Sequence, residues 1–415
     1  MDDAPGSLTS LRSRNRLLVI DAVRRHGRIS RVDIARATGL SRTTVSGLVN
    51  DLLAEGVLTE SAEGSAPSAP RGGRPATPLT LNPEGGGLLG VHLRHTDIRV
   101  LLADLSGGVL GERYHEIDVD HRPDEALDFI AGTALDLVAT VGRDAGRVFG
   151  MGVAVSAPVR SRSHTLRLPS MLSDWTDVDV AERLRERIGL PVHVGNDANL
   201  GALAEWTFGA GHGVDDLIYV MLSDGVGAGL ILDGRPYQGA TGAAGELGHI
   251  AVVDGGYVCR CGNRGCLETV VGAQALTAAF TRTRGPDTTI ADLVALLAAD
   301  DPGARRVVTD AGHMIGRALA DICAMLEPQM VIVGGEVAAV GRPLLDGIRD
   351  VLLHRLPSPL DQGITVTGSR LGDRAEVFGA IVLATRQTSA HLLAPHFGRT
   401  PRGPASPSAK ETPAQ

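Results

Sequence analysis

One histidine and three cysteines lie close together in the sequence, at His249, Cys259, Cys261 and Cys266. The three cysteines fall within eight residues of one another, although the whole chain has only four. Thiolates and a neutral imidazole are the ligand set of a closed, tetrahedral structural zinc site. The Cys-x-Cys step and the glycine-rich loop 262–265 would turn the sulfur atoms toward one point. The spacing therefore predicts one structural Zn²⁺, bound by these four side chains.

Two other interpretations of this cluster are open. The cysteines could be small buried residues that meet by chance, or two of them could form a redox pair. The Cys-x-Cys step differs from the Cys-x-x-Cys spacing of thiol oxidoreductases, and nothing in the sequence indicates an oxidising compartment.

A second set of candidate residues follows a predicted turn near the N-terminus. Ala35, Gly39 and Val45 supply the small residue, the glycine and the apolar residue that a helix-turn-helix needs at its second helix, its turn and its third helix. Gly39 can adopt the left-handed conformation of a sharp reversal. Ser30 and Ser41 are typical N-cap residues for the second and third helices. The pattern predicts a helix-turn-helix domain.

The third helix of this domain would enter the major groove of DNA. Arginine reads guanine with two hydrogen bonds, and hydroxyl side chains bond bases or phosphates. The residues expected to contact DNA are Arg42, Thr43, Thr44 and Ser46. The domain is predicted over residues 13–60, and a small helical bundle used for dimerisation is the alternative.

Residues 61–82 are predicted to form a wing or linker, because they are rich in Ser, Ala, Pro and Gly. A wing would bring Arg74 to the minor groove, where arginine is favoured, whereas a plain linker would not. Residues 1–80 carry 11 Arg and 8 acidic residues, a charge of +3. Because the whole chain has a net charge of −8, the remaining residues carry −11. This asymmetry indicates an anionic partner for the front end alone.

The composition excludes a membrane protein. None of the 415 residues lies in a run of eighteen apolar residues, and the N-terminus lacks the layout of a signal peptide. We therefore expect a cytoplasmic protein with reduced thiols. Residues 1–12 and 396–415 are expected to be disordered.

Apolar strands alternate with helices from residue 86 onward, which predicts an α/β body. Residues 291–299 and 305–326 have the pattern of long helices. The segment 331–335 is predicted as a buried strand that ends in a glycine turn.

A glycine-rich motif, Gly239-x-x-Gly242-x-x-Gly245-Glu246-Leu-Gly248-His249, precedes a Cys-x-Cys-Gly-x-x-Gly-Cys-Leu-Glu loop. With these motifs the chain resembles the transcriptional regulators of the ROK family (repressors, open reading frames and sugar kinases), of the xylose- and N-acetylglucosamine-repressor type. The resemblance implies a winged helix-turn-helix joined to a two-lobed, actin-like ATPase body with a sugar cleft between the lobes. Lobe I would then occupy residues 83–197 together with a C-terminal helix at 374–389. Lobe II would occupy residues 198–373, with its zinc loop at 249–268.

The resemblance also implies which residues bind the ligand. In ROK sugar kinases an Asn-Asp pair lies at the cleft, with the Asp as general base, and Asn196 and Asp197 match it. Glu246, His249 and Glu268 would face ligand hydroxyls, since carboxylates accept several such hydrogen bonds. His249 would then touch both zinc and ligand. Taken alone, the Asn-Asp pair indicates only a turn or a helix cap.

The chain departs from the kinases of this family at their Asp-x-Gly-x-Thr phosphate hairpin. His92 stands at the Asp position and Arg94 at the Gly position, so the carboxylate and the bare backbone are both lost. The second phosphate turn gains the negative charge of Asp224. These changes predict no use of ATP, no catalytic residue and a degenerate base position at Asp197.

Another departure affects the sugar half of the cleft. Residues 156–158 and 169–171 read Ser-Ala-Pro and Pro-Ser-Met, where the family often has Pro-Gly and Pro-Asn-Leu. Loss of that Asn leaves a plain hexose, a modified or phosphorylated sugar and another polyol as possible ligands.

Together these observations predict a DNA-binding transcriptional repressor. It would bind operator DNA as a homodimer or homotetramer and respond to a sugar or sugar derivative in the cleft. One alternative is a ROK sugar kinase that phosphorylates a hexose with ATP. Another is a repressor controlled by a partner protein that docks on the body.

Overall fold

The computed structural model describes residues 8–61, 77–141, 147–159, 173–175, 178–357 and 363–388. Its N-terminal unit, here called the reader domain, comprises α1 (Leu8–His26), α2 (Arg31–Thr38), α3 (Arg42–Ala54), β1 (Leu58–Glu60) and β2 (Leu79–Leu81). β1 and β2 pair antiparallel, and apolar side chains of all three helices form the core beneath them. This is the architecture of a winged helix. Residues 62–76 with Arg74, and the predicted tail 396–415, lie outside the described residues.

Capping residues explain where α2 and α3 begin and end. The Ser30 and Ser41 hydroxyls accept hydrogen bonds from the backbone N–H groups of Asp33 and Thr44, at 3.2 and 3.1 Å. Gly39 ends α2 with a φ of 69°, in the left-handed region. The turn therefore has the chemistry that the sequence predicts.

The start of α1 corrects the sequence prediction. We predicted disorder through residue 12, but the helix begins at Leu8. Arg12 forms an ion pair with Asp51 of α3 at 2.6 Å, and Arg16 forms another with Glu55. These contacts with a distant helix stabilise a polar segment that has no apolar periodicity of its own.

Lobe I is built on a five-stranded sheet in the order β5-β4-β3-β6-β7. Its elements are β3 (Gly87–Leu93), β4 (Asp97–Asp104), β5 (Val109–Glu116), α4 (Pro123–Thr140), β6 (Val148–Val155), α5 (Val180–Ile188) and β7 (Val192–Asn196). β3, β4 and β5 form an antiparallel meander, whereas β6 and β7 run parallel to β3. The carboxyl ends of β3, β6 and β7 therefore meet at one edge of the sheet, which borders the cleft.

Lobe II is built on a second sheet in the order β10-β9-β8-β11-β12. Its elements are α6 (Asp197–Phe208), β8 (Leu217–Leu222), β9 (Val226–Leu232), β10 (Arg235–Tyr237), α7 (Glu268–Val271), α8 (Ala273–Ala278), α9 (Thr281–Arg284), α10 (Ile290–Ala298), α11 (Pro302–Leu326), β11 (Met330–Gly334), α12 (Arg342–Arg355) and β12 (Thr365–Gly368). Among the described residues, no helix is long and apolar enough to cross a membrane.

Two buried helices, α6 and the C-terminal α13 (Ala375–Thr388), lie between the sheets. α6 packs on β8 and β9, and α13 packs on β3 and β6. A β-carbon at Gly379 of α13 would lie 1.9 Å from the Leu200 carbonyl oxygen of α6, so only glycine fits there. The close approach of the two backbones joins the lobes through this helix pair.

Candidate functional site

The candidate metal site lies in the loop that follows His249. The ligand atoms of His249, Cys259, Cys261 and Cys266 all lie within 4.8 Å of one another. The three thiols are free, and the Sγ atoms of Cys261 and Cys266 are 3.7 Å apart, too far for a disulfide. The four predicted ligands are thus brought together, and this group can hold a metal ion. Its donor set is that of a structural zinc site.

Local backbone geometry shapes the metal loop. The Cys259 N–H group donates to the Asn263 carbonyl at 2.7 Å, and the Gly262 N–H group donates to the Cys259 carbonyl at 2.9 Å. Gly262 and Gly265 have φ angles of 91° and 70°, which other residues adopt rarely. A β-carbon at Gly265 would lie 1.8 Å from the Val253 carbonyl oxygen. The glycines therefore allow the turn that directs the sulfur atoms inward.

The Asn196-Asp197 pair stands where β7 ends and α6 begins. The Asn196 side chain caps α6 by accepting a hydrogen bond from the Asn199 N–H group at 3.1 Å. Asp197 is 2% exposed, and its carboxylate accepts from the Ser156 hydroxyl at 2.6 Å and from the Ala198 N–H group at 2.7 Å. Burial raises the pKa of Asp197, and the Ser156 hydrogen bond opposes this rise. The pair is therefore a helix cap that also places a carboxylate in the cleft.

Glu246, His249 and Glu268 line the same cleft as Asp197. His249 Nε2 lies 3.6 Å from a Glu246 carboxylate oxygen, while its Nδ1 lies 3.5 Å from the Cys259 sulfur. One imidazole can therefore present one nitrogen to a metal and the other to the cleft. Burial, followed by the nearby charges of Asp197 and Glu268, raises the pKa of Glu246 to about 7. The five predicted ligand residues thus share one cleft.

The β3–β4 hairpin contributes basic side chains to the cleft wall. Arg94 Nε donates to the Asp97 carboxylate at 2.8 Å, and Arg94 Nη1 lies 3.8 Å from Glu336 of lobe II. Burial, followed by the charges of Arg94 and Arg99, lowers the pKa of His92 well below its ordinary value. The hairpin therefore carries a guanidinium and a neutral imidazole at its two altered positions.

Sequence reasoning missed several polar groups of this cleft. Glu376 is 1% exposed and accepts a hydrogen bond from the Tyr219 hydroxyl at 2.7 Å. Burial raises the pKa of Glu376 to about 7. The His95 imidazole contacts Asp120 through Nδ1 at 2.7 Å and Arg260 through Nε2 at 3.3 Å. A lone Glu in an apolar helix was a usable signal for Glu376, but the partners of His95 come from distant segments.

The predicted DNA contacts lie at the N-terminal end of α3. Arg42 and Thr43 are exposed, whereas Thr44 and Ser46 are half-buried. The Ser41 hydroxyl lies 2.8 Å from both threonine hydroxyls. Four of the five predicted residues therefore lie together in the first two turns of α3, and the fifth, Arg74, lies outside the described residues.

The fold and the site together define a DNA-binding protein whose body has the architecture of a two-lobed sugar kinase. Residues 12–59 match the winged helix-turn-helix DNA-binding family. Residues 88–387 match the ROK family, so the chain belongs to the ROK family, and the resemblance seen in its sequence motifs is confirmed.

Relatives that align with nearly the whole chain are named as transcriptional regulators, some of them as repressors. The xylose repressor of Caldicellulosiruptor bescii is 28% identical over 391 residues, which cover 91% of this chain and 97% of that protein. The DNA-binding transcriptional dual regulator NagC of Escherichia coli K12 is 27% identical over 404 residues, which cover 94% of this chain and 97% of that protein.

Two solved structures match different shares of this chain. A ROK family transcriptional regulator, a homolog of the E. coli MLC protein, matches 92% of this chain and 98% of its own, with 27% identity and a TM-score of 0.75. A ROK family glucokinase from Streptomyces griseus, in complex with glucose and AMPPNP, matches 72% of this chain and 100% of its own, with 28% identity and a TM-score of 0.64. The kinase covers a smaller share of this chain than the regulator does.

Proposed function

We propose that this chain is a transcriptional repressor that binds operator DNA through its reader domain and responds to a sugar or sugar derivative in the cleft. One observation carries the proposal: a reader domain and a sugar-kinase-like cleft occur together, and Arg94 occupies the phosphate hairpin of that cleft. The xylose repressor and NagC, which share both parts, support it.

The ligand would lie among the acceptors that line the cleft. Asp197, Glu246 and Glu268 accept hydrogen bonds from sugar hydroxyls, and Asn196 offers an amide donor. His249 completes the set through Nε2. Neutral hydroxyl groups suit these acceptors, whereas an anionic substituent would fit only near Arg94 and Arg260, which also line the cleft. Burial raises the pKa of Glu246 and the pKa of Glu376 to about 7, so these two carboxyl groups can also donate a hydrogen bond when they are protonated.

A zinc ion would be held by His249, Cys259, Cys261 and Cys266. These residues would hold the ion as a structural anchor for the loop, and the ion would supply no chemistry on the ligand. Anchoring through Nδ1 of His249 would orient its Nε2 toward the ligand. The metal would therefore shape the ligand site indirectly.

The same cleft would not transfer phosphate. A phosphate hairpin needs a metal-binding carboxylate and a bare backbone. Arg94 fills that space with a side chain engaged by Asp97 and Glu336, and the buried His92 stands in place of the carboxylate. Asp197 would then bind a hydroxyl without acting as a catalytic base.

The proposal is tested by measuring DNA binding with and without sugar. DNA sequences bound by the full chain are first selected from a random pool, and binding is then followed by fluorescence anisotropy with D-xylose, N-acetylglucosamine or D-glucose. At least one sugar should change the dissociation constant for DNA by about tenfold. Asp197→Ala should abolish this response, whereas Asp136→Ala, on the exposed face of α4, should preserve it.

Other results would favour the alternatives. Formation of phosphorylated sugar from ATP and Mg²⁺ at about 1 s⁻¹ or faster would establish a kinase. Sequence-specific DNA binding that no sugar alters would contradict the sugar response and favour control by a partner protein. If Arg42→Ala, at the start of α3, changed neither the affinity nor the specificity of DNA binding, the assignment of α3 as the DNA-reading helix would be contradicted.

A further inference from the structure

Two helices begin in the ligand cleft and end at the reader domain. α6 begins with Asp197, and α13 carries Glu376 in its first turn; both carboxyl groups line the cleft. α6 has 12 residues and α13 has 14. At 1.5 Å per residue they are about 18 and 21 Å long. The backbones come into contact at Gly379, where no side chain separates the two helices.

The far ends of these helices meet α1 at one indole ring. Trp206, near the end of α6, is 2% exposed. The Arg25 guanidinium of α1 lies 4.5 Å from the centre of its ring, and the Arg386 guanidinium of α13 lies 5.4 Å from it. Three helices therefore converge on Trp206 through cation–π contacts. We call this set, Arg25, Trp206 and Arg386, the indole junction.

Further polar contacts fix α1 to the same place. Arg24 of α1 donates to the Thr385 hydroxyl of α13 at 3.2 Å, and Asp21 of α1 pairs with Arg386 at 3.3 Å. His212, just beyond α6, contacts the Arg25 carbonyl oxygen. The reader domain is thus held to the ends of both cleft helices by specific contacts.

One buried nitrogen of the indole junction lacks a hydrogen-bond partner. Among the described residues this atom is Arg25 Nε. Arg386 Nε and the neighbouring Arg24 Nη1 make no hydrogen bond either, but they lie 3.3 and 3.9 Å from Asp21 carboxylate oxygens and so keep an ionic contact. A buried donor without a partner costs stability, and a rearranged contact can relieve that cost.

We propose that the indole junction couples the ligand cleft to the DNA-binding surface: ligand contacts at the starts of α6 and α13 move these helices, and the junction transmits the movement to α1. This inference rests on the proposed sugar response. It assigns the response to two packed helices that share one terminal contact. The wing and the metal loop are not needed for it.

The first test reads the junction directly and needs no sugar. The chain has two tryptophans, so Trp175→Phe leaves Trp206 as the only indole. In that background, Asp197→Ala at the cleft should change the emission of Trp206 and the hydrogen exchange of the α1 amides in residues 19–26. Asp136→Ala is the control and should change neither. If Asp197→Ala also leaves both signals unchanged, the cleft is not coupled to the junction.

The second test compares ligand response with ligand binding. Trp206→Ala should keep DNA binding and the rise in thermal midpoint with the active sugar. The sugar-dependent change in the dissociation constant for DNA should fall from about tenfold to less than about twofold. Trp206→Phe, which keeps an aromatic face, should retain an intermediate response. Trp175→Phe, whose indole is buried in lobe I, should retain the full response.

Arg25→Met provides a second variant in case Trp206→Ala does not fold, because it keeps the packing of the side chain and removes the cation. It too should weaken the response while leaving sugar binding intact. A full response in both Trp206→Ala and Arg25→Met would overturn the junction. An unmodified chain in which no sugar alters DNA binding would instead overturn the proposed function, and the first test would still decide whether cleft and junction are coupled.

Discussion

His249 is the residue at which the candidate metal site and the candidate ligand cleft meet. Its Nδ1 faces the Cys259 sulfur and its Nε2 faces Glu246, so the orientation of one ring serves both. An imidazole fixed by a metal on one side is a well-oriented hydrogen-bonding group on the other. We therefore expect loss of metal to weaken ligand binding without any change in the carboxylates.

Zinc binding gives a prediction for a single sulfur. Freshly purified protein should contain one zinc per chain by mass spectrometry of the metal. Cys261→Ser should lose it, because serine is a poor zinc ligand, and sugar binding should weaken with it. Cys323→Ser is the matched control, since Cys323 is buried in α11 away from the cluster. Metal-free wild-type protein with an ordered loop would contradict the assignment.

Glu376 gives a prediction for pH. Its pKa rises from an ordinary value of 4.5 to about 7, chiefly through burial, with a smaller contribution from the charge of Asp197. Between these values the folded state binds more protons than the unfolded state, so this residue's contribution to stability falls as pH rises. Relative to wild type, Glu376→Gln should therefore gain stability from pH 4.5 to pH 7.5, by about 3 kcal/mol at most.

Urea unfolding at several pH values measures this difference. Glu125→Gln, on an exposed part of α4, serves as the control and should show a difference from wild type that does not change with pH. A pH-independent difference for Glu376→Gln as well would mean that Glu376 is not a buried acid in solution.

The residues of the site differ in how well the sequence predicts them. The four metal ligands lie within one loop, so spacing alone predicts their convergence, and the structure brings them together. Glu376 and Tyr219 are 157 residues apart, and their hydrogen bond depends on how α13 packs against β8. Only tertiary packing creates such a pair, so no local pattern could predict it.

At the scale of elements, caps and glycines were more informative than charge. The Ser30, Gly39 and Ser41 signals gave the bounds of α2 and the start of α3, because each satisfies a specific backbone requirement. The predicted start of α1 was wrong, since the contact of its first turns with α3, which includes the Arg12–Asp51 ion pair, is made only in the tertiary structure. The long helices predicted over 291–299 and 305–326 appear as α10 and α11, but the order of the sheets could not be predicted from the strands alone.

The exposed end of α3 gives a prediction about DNA. Arg42→Ala should cost about 1–3 kcal/mol of DNA binding and relax the preference at one base position if Arg42 reads a base. If Arg42 contacts only phosphate, binding to every sequence should weaken alike. The slope of the logarithm of the binding constant against the logarithm of the salt concentration should then become shallower by about one unit. Competition with single-base variants of the selected site measures both effects. Unchanged affinity and specificity would remove α3 from the interface; Arg306→Ala on α11 is the control.

At the scale of the whole molecule, the reader domain and the body share one hydrophobic core. Val45 and Leu79 of the reader belong to the same cluster as Leu101 and Val377 of the body. The two parts are therefore packed against each other and are not independent domains joined only by a linker. The sequence suggested separate domains, because the linker composition of residues 61–78 is visible in a sequence whereas a shared core is not.

Assembly gives a prediction at this scale. A homodimer would carry two reader domains, so the selected DNA site should be roughly palindromic, with half-sites separated by whole helical turns of about 10 base pairs. Footprinting on the selected site, together with light scattering of the free protein, tests both features. A monomer in solution that protects a site without dyad symmetry would contradict the proposed assembly.

Arg94 has a further consequence for how such a repressor senses its surroundings. If Arg94 keeps nucleotide out of the cleft, as proposed, the response would be independent of ATP hydrolysis and would proceed at equilibrium. Thermodynamic linkage then makes the effect reciprocal: the operator must alter affinity for the sugar by the same factor by which the sugar alters affinity for the operator. A DNA-bound molecule would therefore bind the sugar with a different affinity from one free in solution. The number of available operators would then help to set the sugar concentration at which the genes respond.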